Sequence, residues 1–277
     1  MCRWLKKVAN EAPFPVDTTI TRDDLATIIY TSGTTGKPKG VELTHWNIAS
    51  NIQAVKTLLQ AEMGRKVSLA FLPWAHVFGQ VNELHSLVSS GSSLAIVPSR
   101  DQIIECISII RPAVLYSVPI MLNKIYDGIM KAISSQSFLK RSLFQMAIRT
   151  ARRRNECKEF HRPVSSFLEW KYQLYDRIIF SKIRDRLGGN VQRIGAGGAA
   201  AGLEVLQFFE DIGLPVIEGY GLSETAPTVT AGSVDWENRR LGCVGVPLPG
   251  VDVKIVDPET LQPLPADTDG EVSNSPN

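Results

Sequence analysis

The richest concentration of chemically useful groups lies between Tyr30 and Gly40, in the segment YTSGTTGKPKG. Glycine lets backbone N–H groups approach an anion closely, and successive N–H groups form an anion-binding concavity. Hydroxyls add donors, and lysines neutralise phosphate charge. The segment is not a Walker A loop, because Pro38 follows Lys37 where that motif needs Ser or Thr. A solvated turn is the alternative, but the density of these groups predicts a phosphate-binding loop.

A second group of side chains lies between Glu218 and Thr225, in the segment EGYGLSET. Mg²⁺ prefers hard oxygen ligands, usually one or two carboxylates together with substrate phosphate, and Glu224 suits that role. Tyr220 offers a ring that can stack on a purine. Alone, the segment fits a tight turn with a surface glutamate better than a ligand site. Together with the first loop, it predicts a nucleotide and magnesium site.

The segment from Gly195 to Ala200 reads GAGGAA and lies between a predicted strand and a predicted helix. Small residues in that place let a flat ring lie against the backbone. Close packing of the strand on the helix is the alternative.

The segment from Leu72 to Gln80, LPWAHVFGQ, contains His76. A lone histidine is more often a packed or surface residue than a catalyst. Glu83 and His85 follow, but their spacing is not that of the HExxH zinc motif, so a zinc site is rejected.

The first segment closely resembles the phosphate-loop motif of the adenylate-forming enzymes, which include acyl-CoA synthetases, luciferases and the adenylation domains of peptide synthetases. The resemblance implies that this loop wraps the β- and γ-phosphates of ATP. It also implies that Thr34 helps to bind Mg²⁺ and that Lys39 approaches departing pyrophosphate. The nucleotide-binding residues implied in the loop are Thr31, Ser32, Gly33, Thr34, Thr35, Gly36, Lys37 and Lys39.

The other segments resemble further motifs of that superfamily, in the expected order. EGYGLSET resembles its YGxTE motif, which implies Glu224 as a magnesium ligand beside Thr34, and Thr225 as a contact of the α-phosphate. His76 occupies the place of the residue that borders the acyl carboxylate, so the implied catalytic set is Thr34, Lys39, His76 and Glu224. The remaining nucleotide-binding residues implied are Gly197, Gly198, Ala199, Glu218, Gly219, Tyr220 and Gly221, with Tyr220 stacked on adenine.

Three longer features resemble the long-chain fatty acyl-CoA synthetases: residues 72–93, the length of the 136–187 insertion, and residues 256–272. The resemblance implies ATP, Mg²⁺, coenzyme A as co-substrate, and a long-chain fatty acid that becomes acyl-AMP and then acyl-CoA. The alternatives are a catalytically silent nucleotide- or acyl-binding fragment and a ligase for an aromatic or medium-chain acid. We expect these residues to lack the family's N-terminal subdomain and its lysine-bearing C-terminal domain. We therefore expect weak or no ligase activity from these 277 residues alone.

Short apolar strands alternate with helices along the chain, which predicts an α/β fold of parallel sheets flanked by helices. We expect Leu25–Tyr30 to be a buried strand, and Thr44 to cap a helix that begins near Asn47. Residues 1–241 are predicted to form part of the AMP-binding domain, with a two-helix insertion at about 136–187 broken near Pro163. Short alternating strands predict the start of a small β subdomain at 242–277.

The insertion is basic, since residues 138–162 carry eight lysines and arginines against Glu156 and Glu159. A solvated helical face is one reading of this charge, and peripheral contact with anionic lipid is the other. Nucleic acid is not an expected partner, because no aromatic interleaving accompanies the charge.

Composition excludes several classes of protein. A formal net charge of +2 indicates no polyanionic partner by itself. The four cysteines, Cys2, Cys106, Cys157 and Cys243, lie too far apart for a metal or redox pair. No secretory leader and no membrane-spanning run is predicted. We expect the cytoplasm, or the cytoplasmic side of an intracellular membrane, as the location.

Overall fold

A seven-stranded sheet forms the centre of the computed structural model, which describes residues 18–32, 36–58, 66–234 and 239–276. Its strands lie in the order β4-β3-β5-β6-β7-β8-β9. Neighbours from β4 to β7 are parallel, whereas β7–β8 and β8–β9 are antiparallel. The strands are β3 (Val67–Ala70), β4 (Ser93–Ile96), β5 (Val114–Ser117), β6 (Arg193–Ala196), β7 (Val216–Gly221), β8 (Thr228–Ala231) and β9 (Val246–Pro247). The predicted α/β class is confirmed, with a mixed rather than a wholly parallel sheet.

Helices cover this sheet and bury a continuous apolar core against it. The core includes Leu69, Leu115 and Ile194 from the strands and Leu122 and Phe209 from the helices. Burial of such side chains is the main favourable contribution to folding. The α-helices are α1 (His45–Leu58), α2 (Ser86–Ser89), α3 (Ile103–Ile110), α4 (Pro119–Ser134), α5 (Phe138–Glu159), α6 (Ser166–Tyr175), α7 (Ser181–Arg186) and α8 (Leu203–Asp211). A π-helix, Phe78–His85, leads directly into α2.

The prediction that Leu25–Tyr30 is buried was wrong, although the segment is a strand as predicted. Among the described residues, strand β1 (Leu25–Thr31) pairs only with β2 (Lys39–Thr44), in an antiparallel hairpin separate from the large sheet. Ile29 is the one fully buried residue of β1. The apolar run was correctly read as a strand. However, a two-stranded hairpin leaves one face in solvent, so its side chains alternate between the core and water.

Local signals at helix ends were read correctly. Thr44 caps α1, because its hydroxyl accepts the N–H of Asn47 at 3.2 Å and its own N–H donates to Asn47 Oδ1 at 2.9 Å. The helix itself begins at His45, earlier than predicted. Pro119 occupies the first turn of α4, where its missing N–H costs nothing.

The predicted insertion is the helical arm α5–α7, and its break falls at Pro163 between α5 and α6. Arg154 on α5 holds the two helices together through Glu169 on α6, with nitrogen–oxygen distances of 2.7 and 3.1 Å. The Arg154 guanidinium also lies 4.1 Å from the ring centroid of Tyr172. A π-helical turn, Asp176–Phe180, connects α6 to α7.

A second hairpin follows the large sheet. Strands β10 (Val251–Val256) and β11 (Glu271–Pro276) pair antiparallel, while β9 still belongs to the seven-stranded sheet. The domain boundary near Gly242 stays a prediction. In the described part of the chain, no helix combines the length and apolar character needed to cross a bilayer.

Candidate active site

A cavity of about 410 Å³ opens where β3, β5, β6 and β7 end. In parallel α/β sheets this carboxyl edge is where ligands bind. Three of the four predicted motifs contribute to its wall. The lining residues are Leu72, Pro73, His76, Val77, Phe78, Gly79, Val118, Gly197, Gly198, Gly219, Tyr220, Gly221, Leu222, Ser223, Pro227 and Thr228.

Two glycines of this wall lie where a side chain would press against neighbouring parts of the protein. A side chain at Gly197 would place its Cβ 3.3 Å from the ring of Phe78, and one at Gly219 would lie 3.2 Å from the carbonyl oxygen of Thr230. Gly198 has φ +84°, a conformation that favours glycine. With half-buried Tyr220 on the same cavity, the wall fits an adenine ring. Ala199 is exposed next to this wall and does not line the cavity.

The turn after β7 is closed by its own hydroxyl. The Thr225 hydroxyl accepts the N–H of Leu222 at 2.9 Å and lies close to the carbonyl oxygens of Leu222 and Pro227. Ala226 has φ +59°, and the Ala226–Pro227 peptide is cis. A Cβ on Gly221 would lie 1.8 Å from the Pro227 oxygen, so this position requires glycine. The predicted contact of Thr225 with a phosphate therefore involves a hydroxyl already engaged in the turn.

Two buried asparagines, which sequence reasoning missed, clamp this turn from outside. Asn51 on α1 donates from Nδ2 to the carbonyl oxygens of Thr228 at 2.7 Å and Thr225 at 3.2 Å. Asn82 on the π-helix donates to the Thr228 hydroxyl at 3.0 Å. An asparagine on the apolar face of a predicted helix was the available signal, because a buried amide needs partners.

Glu224 projects from this turn into solvent and does not line the 410 Å³ cavity. It lines a neighbouring cavity of about 380 Å³, together with Trp46 and Ser50. Within the described ranges, no hydrogen bond or salt bridge engages its carboxylate. A free, exposed carboxylate fits a Mg²⁺ ligand that shares the ion with phosphate oxygens. Across the described residues, no cluster of three or more His, Cys, Asp or Glu could hold a metal alone.

The phosphate loop is carried at the tip of the β1–β2 hairpin. Thr31 pairs with Lys39 in the ladder, so both ends of the loop are held together. Lys37 and Lys39 are exposed, as are Ser32 and Gly36, and Gly36 has φ +79°. Strand β2 contacts the short 3₁₀ helix Ser223–Thr225, which brings the loop and the Glu224 turn to the same side of the molecule. The predicted residues Gly33, Thr34 and Thr35 lie outside the described residues.

His76 is exposed at the mouth of the cavity, and a buried acid supports its loop. The indole N–H of Trp74 donates to Glu83 Oε2 at 3.0 Å. Glu83 is fully buried, and burial raises its pKa from the ordinary 4.5 to about 7, because a buried carboxylate loses its hydration. The acid that sequence reasoning considered as a zinc ligand therefore has a positioning role, and the signal for it was its place on the helix after Trp74.

Glu218 points away from the 410 Å³ cavity and ties two motifs together. Its carboxylate accepts the N–H of Ala201 at 3.4 Å, which links β7 to the glycine–alanine turn. Burial raises the pKa of this half-buried acid. Glu218 thus supports the nucleotide wall from behind.

A smaller inner cavity of about 50 Å³ lies behind that wall and shares Phe78 and Gly219 with it. Its polar lining comes from Asn82, Tyr116 and Arg193 as well as Glu218. Within the described part of the chain, Arg193 Nη1 is buried without a hydrogen-bond partner. Burial raises the pKa of Tyr116 to about 12, which keeps its hydroxyl neutral. A small, mostly apolar cavity with a few polar groups therefore lies directly behind the wall of the 410 Å³ cavity.

The model of the family described as AMP-binding enzyme matches residues 3–274. Long chain acyl-CoA synthetase 7, a peroxisomal protein of Arabidopsis thaliana, is 33% identical over 237 residues, which is 85% of this chain and 32% of that protein. The long-chain-fatty-acid–CoA ligase FadD15 of Mycobacterium tuberculosis is 34% identical over 241 residues, which is 84% of this chain and 38% of the ligase. The chain thus spans about a third of the length of these curated relatives.

Solved structures show the same fold at lower identity. ATP-bound MatB from Rhodopseudomonas palustris is 24% identical with a TM-score of 0.63, covering 98% of this chain and 43% of that one. The o-succinylbenzoate coenzyme A synthetase MenE of Bacillus subtilis, in complex with ATP and magnesium, is 21% identical with a TM-score of 0.62, covering 98% and 46%.

Proposed function

Because this chain belongs to the family of AMP-binding enzymes, we propose that it forms the nucleotide- and acid-binding part of a ligase that joins a long-chain fatty acid to coenzyme A, using ATP. One observation carries the proposal. Three sequence motifs, the first more than a hundred residues before the other two, meet at one cavity beside the hairpin that bears the phosphate loop.

The proposed reaction has two steps. A carboxylate oxygen of the fatty acid attacks the α-phosphorus of ATP, the bond to pyrophosphate breaks, and acyl-AMP forms. The thiolate of coenzyme A then attacks the acyl carbon, and AMP leaves. In the first step two anions must meet, so the barrier is largely electrostatic, and a bound Mg²⁺ would reduce that repulsion.

The residues of this chain divide that work. Glu224 would hold a bound Mg²⁺, with Thr34 as its predicted partner, and Lys37 and Lys39 would neutralise the β- and γ-phosphates. The backbone at Gly197 and Gly198, with Tyr220, holds the adenine. His76, at the mouth of the same cavity, borders the place of the acid and orients its carboxylate. Holding both reactants in line is itself a large part of such catalysis.

Exchange of pyrophosphate into ATP in the presence of palmitate tests the first step alone. We expect exchange that needs both Mg²⁺ and the acid, and a fall of about a hundredfold in Lys39→Ala, because one positioned donor to developing charge contributes about that much. Lys254→Ala, which removes an exposed lysine from β10, is the matched control and keeps full exchange. Binding of ATP without exchange with any acid would instead establish the silent nucleotide-binding alternative.

A second candidate, a ligase for a medium-chain or aromatic acid, is favoured by the inner cavity. Its volume of about 50 Å³ leaves little room for a long alkyl chain, and Arg193 in its mostly apolar lining offers a cation to a carboxylate. A panel of saturated acids from four to eighteen carbons, roughly, together with benzoate, separates the two, since apolar pockets discriminate about 1–3 kcal/mol per methylene. A maximum at palmitate supports the long-chain proposal, and a maximum at a short or aromatic acid supports the second.

A further inference from the structure

The outer surface of α5 and α6 exposes large apolar side chains, and we call it the α5–α6 face. On α6, Phe167, Trp170 and Leu174 follow at i, i+3 and i+7, so they share one side of the helix. Their exposed fractions are 70%, 60% and 41%. The rings of Phe167 and Trp170 stack with centroids 6.0 Å apart. These residues form an exposed apolar ridge, and large apolar patches of this kind are uncommon on surfaces that contact only water.

Helix α5 continues the apolar surface. Leu139, Leu143 and Met146 are exposed at i, i+4 and i+7 spacing, while the buried side of the helix carries Phe144 and Ala147. Helix α5 therefore has apolar residues toward the core and also toward solvent, which is not the pattern of a simple surface helix.

A groove of about 520 Å³ between the two helices adds positive charge to this apolar surface. Three of its lining residues are the cations Arg149, Arg153 and Lys171, and no acid lines it. Within the described ranges, none of the three forms a salt bridge. The groove is lined by Met146, Arg149, Thr150, Arg153, Cys157, Pro163, Ser165, Phe167, Leu168 and Lys171.

Neighbouring arginines show the contrast. Arg152 turns inward to Asp211 at 3.3 Å, and Arg154 pairs with Glu169 at 2.7 Å. These two charges serve the packing of the arm. Lys171 lies over the ring of Tyr175, 5.8 Å from its centroid. Among the described residues, no acid pairs with any of the three groove cations, so their positive charge is available to an anionic ligand.

We propose that the α5–α6 face docks this protein on a bilayer that contains anionic phospholipid. Phe167 and Trp170 enter the boundary between headgroups and acyl chains, where aromatic rings are favoured, and the basic groove receives a lipid phosphate. A second copy of the chain is disfavoured as the occupant, because two basic grooves would repel each other. The proposal stands on this surface and is independent of the reaction, although a long-chain acid would also be concentrated in a bilayer.

Cosedimentation of the chain with vesicles tests the docking. We compare phosphatidylcholine vesicles with vesicles that also contain about one third phosphatidylglycerol, and expect binding only to the second kind, weakened by added salt. The double variant Arg149→Gln/Arg153→Gln should lower the partition coefficient roughly thirtyfold. The control Arg100→Gln/Lys254→Gln removes the same charge from exposed sites on other elements and should bind like the parent.

The apolar contribution is tested separately. Phe167→Ser/Trp170→Ser should lower partition at least tenfold, roughly, whereas Ile109→Ser, at an exposed site on α3, should leave it unchanged. Brominated lipid should quench tryptophan emission in the parent, and Trp170→Phe should lose most of that quenching. Circular dichroism shows that each variant is folded. Equal binding to both kinds of vesicle, variants that bind like the parent, or a dimer formed through this face without vesicle binding would each overturn the proposal.

Discussion

At the scale of single residues, a buried ionisable group supports the candidate site. Glu83 is the clearest case, since it is fully buried beneath the His76 loop and accepts the indole N–H of Trp74. A buried carboxyl is tolerated because it can hold a proton, and burial keeps its pKa near 7. The His76 loop is therefore held through Trp74 by a buried carboxyl group whose charge changes near neutral pH.

Glu83 should make stability depend on pH. Between pH 4.5 and about 7 the folded protein keeps a proton on Glu83 that the unfolded chain has released. The stabilisation is therefore complete below pH 4.5 and lost as pH rises through about 7. Glu83→Gln should be more stable than the parent at pH 8, by up to about 3 kcal/mol, and nearly equal to it at pH 4.5.

Urea unfolding at the two pH values measures this difference. Glu259→Gln, at an exposed site, is the control and should change neither value. A Glu83→Gln variant that loses the same stability at both pH values would contradict a protonated acid.

Two glycines should respond to alanine in opposite directions. Gly221→Ala places a Cβ 1.8 Å from the Pro227 oxygen, so the turn that carries Glu224 must open. We expect a loss of several kcal/mol or failure to fold, measured by thermal unfolding and nucleotide binding. Gly128→Ala lies in α4, where no atom comes within 4 Å of the new Cβ. It should raise stability by about 0.5–1 kcal/mol, and a destabilised Gly128→Ala would contradict this reading of α4.

At the scale of elements, helix α1 holds the site together although it supplies no chemistry. Its Asn51 satisfies the carbonyl oxygens of Thr225 and Thr228, at the turn where β7 reverses into β8. The turn therefore depends on a helix that lies far away in sequence. This contact makes α1 the support of the turn that carries Glu224.

Removal of the Asn51 amide should weaken both fold and site. Asn51→Ala leaves two carbonyl oxygens without this donor, which costs about 2–3 kcal/mol in the free energy of unfolding. The Mg²⁺ dependence of nucleotide binding should weaken as well, since the Glu224 turn loses its anchor. Asn123→Ala, at an exposed site on α4, is the control. An Asn51→Ala variant as stable as the parent would show that the turn does not need the hydrogen bonds of Asn51.

These elements show which features of the structure could be predicted from the sequence and which could not. The Thr44 cap and the Pro119 helix start were predictable because a cap and a first turn are decided within four residues. The placement of β1 in its own hairpin was not, because strand pairing depends on distant partners. The Asn51–Thr228 contact joins residues 177 positions apart, which no local pattern encodes. The motifs were found without the fold, since their chemistry is local, but the support beneath them was not.

At the scale of the whole molecule, stability is divided unevenly. The large sheet and its helices share one extended core, whereas the β1–β2 hairpin rests on a small cluster. An isolated two-stranded hairpin is marginally stable in water. The cluster that holds it in place comprises Ile29, Leu43, Ile52, Val77, Val81 and Ala226.

Amide hydrogen exchange should show this division. Without nucleotide, the amides of β1 and β2 should exchange well before those of β5 and β6, because local opening follows the local density of buried contacts. ATP with Mg²⁺ should slow the exchange of the β1 and β2 amides. AMP, which lacks the β- and γ-phosphates, should leave their exchange fast. Equal protection by both nucleotides would place the phosphate loop outside the site.

A loop mounted on a loosely seated hairpin has a consequence for affinity. Binding of the triphosphate must order the hairpin, and this ordering costs conformational entropy. ATP should therefore bind more weakly than its contacts alone would suggest. Departure of pyrophosphate would release that restraint. The hairpin should then be most mobile before ATP binds and again after pyrophosphate has left.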